Sequence, residues 1–312
     1  MIMKGSFQKN FIVPTEMANN FRMERVLHLV ISDTHFGSEP KPQSHQVKYS
    51  ESRRMAGVVK QTIEYKRDHR DATILAVHVL GDIIEGKLHD AEFAAPDSLQ
   101  FMAALSYLKQ AIECFAEHFP FVMVFCVPGN HGRTSSRHKE RARSDKWDSA
   151  ETKLYSALRE SVDHFTNVQT ELFGSLYFVQ FFGHTVFGTH GDTVFDPGLP
   201  HKKIDVKSIE NQLIRLNIRH KPISVAITGH THQAAYLPLS GTVCFVNPAL
   251  VPVLEYSQSI GVFNSRCGCW LFEMTEKYPV GDVRLATVGK FNDDDKQLDR
   301  LIKPFNYRSS KL

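Results

Sequence analysis

The sequence predicts an α/β fold on three observations. Apolar strand-like runs alternate with amphipathic helical stretches from Val26 to Val127, short strands crowd the second half, and polar islands sit at strand ends. In order, Val26 to Ile31 reads as a strand, Glu51 to Asp68 as an amphipathic helix and Thr73 to Leu80 as a strand. Asp97 to Phe119 follows as a long helix and Phe121 to Val127 as a third strand. Such a βαβαβ beginning implies a right-handed, largely parallel sheet. A helix is expected from Trp147 to Ser161. Strands are then expected at Leu176 to Phe181, Thr185 to Gly188, Ser224 to Thr228, Ala234 to Leu237, Thr242 to Val246 and Cys269 to Glu273. One helix, Lys207 to Arg219, interrupts them. Residues 26–290 are read as one domain, 1–25 as an N-terminal extension and 291–312 as a C-terminal tail.

Composition excludes several classes. With 37 basic against 34 acidic residues there is no global polyanion-binding signature, and 42% hydrophobic residues suffice for a core. No run reaches the roughly 18 apolar residues of a membrane helix, and Met1 to Met23 lacks the apolar centre of a secretory signal. The five cysteines are scattered and odd in number, which predicts free thiols and a cytoplasmic setting.

Five islands carry the chemistry: Asp33-Thr34-His35, Gly81-Asp82, Gly129-Asn130-His131, Thr189-His190-Gly191 and Gly229-His230-Thr231-His232. Each follows a β-branched or aromatic run, so each falls where a buried strand gives way to a loop, the place where open α/β folds put their ligands. Singly they are weak signals, since Asp-x-His or Gly-Asp also ends strands as a plain turn. Two alternate histidines after Val225-Ala226-Ile227-Thr228 have fewer structural explanations. Carboxylate, carboxamide and imidazole without thiolate suit a catalytic metal centre rather than a structural zinc site. His28 and His78, inside apolar runs, read instead as core histidines.

The order and wording of the islands resemble the calcineurin-like metallophosphoesterase superfamily, over about Val26 to Leu250. That resemblance implies two packed mixed β-sheets flanked by helices, a four-layer sandwich. It also implies two divalent ions, with Mn²⁺ foremost and Fe, Zn, Ni or Mg as alternatives. Asp33, His35 and His232 would hold the first ion, Asn130, His190 and His230 the second, with Asp82 bridging and His131 as the unliganded catalytic histidine. Val246-Asn247-Pro248-Ala249 is similar to the family's closing Asn-Pro turn. One departure stands out. Gly132 occupies a position where the family usually has an acid that orients the histidine, so the sequence names no partner for His131.

Substrate is read from Arg133 to Lys146, which holds six Lys or Arg in fourteen residues directly after His131. Such a run is commonly a solvated face. Beside a phosphoesterase site, Arg133, Arg137, Lys139, Arg141 and Arg143 would neutralise phosphates flanking the scissile one. The expected activity is therefore two-metal hydrolysis of phosphodiesters, with nucleic acid as partner and a likeness to the DNA-repair exonuclease branch. The alternatives are a phosphohydrolase acting on cyclic or dinucleotide diesters or on monoesters, and a metal-bearing scaffold without turnover.

Overall fold

The computed structural model describes residues 11–12, 24–38, 50–87, 95–134, 146–195, 204–251, 267–287 and 296–307. The first half follows the βαβ alternation. Strand β2 (Arg25–Ile31) leads to helix α1 (Glu51–Asp68), β3 (Ala72–Val79), α2 (Asp97–His118), β4 (Phe121–Cys126), α3 (Ala150–Val162) and β5 (Val168–Leu172). These four strands run parallel in the order of the chain. The sheet is extended past β2 by two antiparallel strands from the far end of the sequence, β11 (Gly268–Thr275) and β12 (Val283–Thr287).

A second six-stranded sheet has the order β1 (Phe11–Ile12), β6 (Leu176–Phe181), β7 (His184–Thr189), β8 (Val225–Thr228), β10 (Thr242–Val246), β9 (Ala235–Leu239). It too is mixed: β7, β8 and β10 are parallel, while β6 pairs antiparallel to β7 and β9 antiparallel to β10. Helix α4 (Val206–Arg219) connects β7 to β8 by the crossover that a parallel pair requires.

Period-two alternation decides the layers. Along β2, Leu27, Leu29 and Ile31 face α1 and α2, whereas Val26 and Val30 face the second sheet. Phe125, Phe181, Phe245 and Phe272 fill the space between the sheets, and each fully buried ring contributes roughly 1.5–3 kcal/mol. Ile209 and Leu213 of α4 cover the other face of the second sheet. The result is helix, sheet, sheet, helix. The four-layer sandwich expected from the sequence is what the chain forms.

Strands β1, β5 and β12 and the short helix α5 (Lys296–Leu301) have no counterpart among the elements expected from the sequence. Strand β5 is an edge strand with mostly half-buried residues, so it lacks the apolar run that announces a central strand. Leu298 and Ile302 are buried in the core beneath α1 and α2. Helix α3 begins at Ala150, three residues later than the helical pattern suggests, because the Ser149 hydroxyl accepts from the Glu151 amide and caps it there.

Candidate metal centre

All five islands stand at the carboxyl ends of strands: those of β2, β3 and β4, neighbours in one sheet, and those of β7 and β8, neighbours in the other. Packing the two sheets face to face brings these ends together. Leaving a strand and turning the side chain back into the cleft requires unusual backbone. Among the described residues seven non-glycine residues have positive φ, and five of them are Asp33, His35, Asp82, His230 and His232, at 45° to 71°. The β3 and β4 loops also touch backbone to backbone. A Cβ on Gly81 would lie 2.2 Å from the Gly129 nitrogen, and one on Gly129 2.4 Å from the Asp82 nitrogen, so both glycines are sterically required.

The side chains converge in two overlapping groups. Ligand atoms of Asp33, His35 and His232 lie within 4.8 Å of one another, as do those of Asp82, His190 and His230. A third such group joins His35, Asp82 and His131, so Asp82 neighbours both sides of the centre. The Asn130 Oδ1 is 3.1 Å from His190 Nε2, which is equally 3.1 Å from Asp82 Oδ2. The sequence-predicted ligands are thus brought together as two sets with Asp82 between them.

Hydrogen bonds decide which imidazole nitrogen faces the centre. His35 Nδ1–H donates to the Glu85 carboxylate at 2.8 Å and His190 Nδ1–H donates to the Leu80 carbonyl at 2.6 Å. In the neutral tautomer these bonds select, each Nε2 presents a lone pair inward, the arrangement typical of metal-ligating histidine. The His35 and His232 Nε2 atoms are 3.1 Å apart, and the His190 Nε2 meets two oxygens. Lone pairs and carboxylates gathered at such distances suit a cation, and this donor set fits divalent ions. The backbone amide of His230 also binds both Asp33 oxygens at 3.1 Å, and the His131 amide binds Asp82 Oδ1 at 2.8 Å. Asn247, buried in the closing turn, donates to Ser32 and accepts from the Trp270 amide, tying the β2 loop to β11.

Electrostatics follow from burial and neighbours. Burial raises Asp82, but the adjoining His190 and His131 outweigh it and hold the carboxyl well below its usual range. Burial lowers His35 and His190, yet carboxylates overcome it: Glu85 and Asp82 push His35 to about 9, and Asp82 pushes His190 to about 10.

The partner of His131 is Glu85. The Nδ1–H donates to the Glu85 backbone carbonyl at 2.7 Å, while the Glu85 carboxylate serves His35. One residue therefore serves two histidines, His131 through its backbone carbonyl and His35 through its carboxylate. Its only signal in the sequence is a glutamate three residues past Asp82, and no local pattern marks it.

The basic run divides. Arg133, two residues past His131, is half-buried. Lys146 is fully buried with its Nζ 2.5 Å from Asp192, so it is part of the framework and corrects the count of charges offered to a ligand. Arg137, Lys139, Arg141 and Arg143 lie outside the described residues.

A family model described as calcineurin-like phosphoesterase matches residues 28–234. No curated protein matches the chain. Among solved structures, similarity extends to an archaeal phosphodiesterase with 14% identity, covering 84% of this chain and 99% of that one at a TM-score of 0.40. It also extends to a hypothetical protein from Pyrococcus horikoshii OT3 (12%, 89% and 92%, TM-score 0.44) and to the phosphoesterase Yfce from E. coli (13%, 83% and 98%, TM-score 0.37).

Proposed function

Because the chain belongs to the calcineurin-like phosphoesterase family, and is thus a metal-dependent phosphoester hydrolase, we propose a narrower activity: hydrolysis of phosphodiesters, with nucleic acid as the substrate class. The observation that carries this reading is the attachment of the basic segment. Residues 135–145 hold Arg137, Lys139, Arg141 and Arg143 against Glu140 and Asp145. The segment departs from Arg133 and Thr134, directly after His131, and returns at Lys146, pinned to Asp192 two residues past His190. Thr134 Oγ1 closes its base on the Asp148 carbonyl at 2.9 Å. Trp147 follows in sequence, half exposed, and an aromatic next to a basic segment would support stacking on a nucleobase. A single phosphate needs no such cationic supplement; a polyanion does.

Asp33, His35 and His232 would hold one ion, Asn130, His190 and His230 the other, and Asp82 would lie between them. When bound, the ions supply Lewis acidity at the phosphoryl oxygens and an activated water. His131 supplies proton transfer at Nε2, since Nδ1–H is committed to Glu85. Burial lowers this imidazole to about 4, against the opposing pull of Asp82 and Glu85. The negative charge of a bound phosphodiester adds to that pull and the two ions oppose it; in its acid form the Nε2–H would protonate the leaving alkoxide. No side chain has to form a covalent intermediate.

Replacing Arg137, Lys139, Arg141 and Arg143 together by Gln tests the substrate class. DNA binding should weaken and its log–log salt dependence should flatten by roughly 0.7–0.9 for each phosphate no longer neutralised. Hydrolysis of a small chromogenic diester, which has no flanking phosphates, serves as the reference. Unchanged DNA affinity and salt slope with parent-level DNA cleavage would remove the basis of the nucleic-acid reading and favour a small-molecule diester.

A further inference from the structure

Glu151 is fully buried at the second residue of α3, and among the described residues its carboxylate is bound by backbone N–H groups alone. Oε1 accepts from Ile83 at 2.5 Å and Ile84 at 3.4 Å; Oε2 accepts from Gly129 at 2.6 Å and Asp82 at 3.3 Å. These amides belong to two different loops, the one after β3 that carries Asp82 and the one after β4 that carries Asn130 and His131. The start of α3 is docked on the same place, since the Ala150 amide donates to the Gly132 carbonyl at 2.7 Å. A Cβ added at Gly132 would lie 2.6 Å from Glu151 Cγ and 2.7 Å from Ser149 Oγ. Gly132 therefore has no room for a side chain because Glu151 fills that space from the other direction.

We propose that Glu151 is a positioning residue for the metal centre: it fastens the Asp82 loop to the Asn130–His131 loop and so sets the position of the bridging carboxylate. The buried amide of Asp82, a residue in the left-handed conformation at φ 51°, finds its acceptor in Glu151 at the start of a helix. Two oxygens accepting from four N–H groups tie both loops to one side chain. The assignment rests on the metal-dependent phosphoesterase reading and is independent of the nucleic-acid substrate.

The test is Glu151→Gln. The amide keeps the volume but places a donor against one of the two pairs of N–H groups, since both oxygens accept. The variant should keep the fold by circular dichroism, bind Mn²⁺ at the second equivalent about 10–100-fold more weakly by calorimetry, and show less of the spin-coupled two-Mn²⁺ signal in electron paramagnetic resonance. Turnover of a chromogenic diester at subsaturating Mn²⁺ should fall in parallel. Gly132→Ala, which presses on the same carboxylate, should weaken Mn²⁺ binding in the parent and add little in a Glu151→Ala background. A parent that binds none of Mn²⁺, Fe²⁺, Zn²⁺, Ni²⁺ or Mg²⁺ overturns the two-ion reading on which the proposal rests. A parent that binds two ions beside a folded Glu151→Gln protein of equal affinity and spectrum overturns the role of Glu151. Should Glu151→Gln not fold, additive effects of Gly132→Ala and Glu151→Asp on Mn²⁺ affinity would overturn it as well.

Discussion

Two pairs of histidines, His28 with His78 inside β2 and β3 and His35 with His190 just past the ends of β2 and β7, behave in opposite ways. His28 and His78, in the middle of β2 and near the end of β3, stack between the sheets among Phe125, Phe181 and Phe272. His28 Nδ1 bonds His78 Nε2 at 2.9 Å, and the His78 Nδ1 lies 2.5 Å from the Tyr177 hydroxyl. Burial without a carboxylate drives His78 down to about 3 and His28 well below its ordinary value, so both are neutral. A few residues further along the same strands, burial is equally complete, but Asp33, Asp82 and Glu85 are present. There, His35 moves to about 9. Burial alone does not decide the state of a histidine: where a carboxylate is hydrogen-bonded directly to the ring, as at His35 and His190, the charge outweighs burial, and where the ring bonds a backbone carbonyl, as at His131, burial still prevails.

The largest expected effect breaks the charged end. Asp82→Asn removes the carboxylate that neighbours both ligand groups. Turnover of a chromogenic diester should drop to background and bound Mn²⁺ should fall below two equivalents, with the fold retained. Two tightly bound ions and parent activity would show that Asp82 does not bridge.

His131→Ala should retain both ions and lose about 10²–10⁴-fold in rate on an ester with a poor leaving group. The loss should shrink when the leaving group is very acidic, because such a group departs without a proton. Equal losses on both esters would assign His131 to charge stabilisation, and loss of an ion would make it a ligand.

Glu85→Gln probes what sets the tautomer of His35. The amide leaves the backbone carbonyl that serves His131 in place but weakens the acceptor at His35 Nδ1. Mn²⁺ affinity should fall about 10–100-fold, measured by calorimetry, with a smaller change in rate at saturating metal. Parent affinity would mean the carboxylate charge is dispensable for holding the ring.

The smallest effect is on stability, and it sharpens the contrast between the two sets. His28, His78 and His131 bind protons more readily in the unfolded chain, so between pH 6.5 and about 4.5 stability falls as pH falls. Glu151 offsets this in part, because burial and Asp82 raise it to about 7 and it holds its proton longer in the folded chain. Each proton differentially bound contributes a slope of up to ~1.4 kcal/mol per pH unit. His35 and His190 bind protons more readily in the folded chain, so their contribution is full below 6.5 and is lost as pH rises toward 9 and 10. Urea denaturation of metal-free protein should give maximal stability near pH 6.5, and Mn²⁺ should abolish the alkaline limb because bound ions replace those protons. A metal-free profile flat from pH 6.5 to 10 would contradict the charged state of the strand-end set.

The alternation of strands and helices from β2 to β4, and the five islands at strand ends, were legible in the sequence by itself. Periodicity of two against 3.6 and the placement of Gly, Asp and His after apolar runs are local properties. The same locality explains the gaps. Nothing around Cys269 announces that β11 pairs with β2 from more than 200 residues away, and nothing around Leu298 announces a place in the core beneath α1. Glu85 and Glu151 read as ordinary acidic residues; only the folded chain aims one at His35 and the other at the amides of Asp82 and Gly129. Lys146 reads as one more charge in a basic run, yet the fold buries it against Asp192. The candidate ligands are marked by residue type and strand position, which the chain carries locally. Ligand orientation depends on hydrogen bonds between loops distant in sequence, and those bonds exist only once the two sheets have packed.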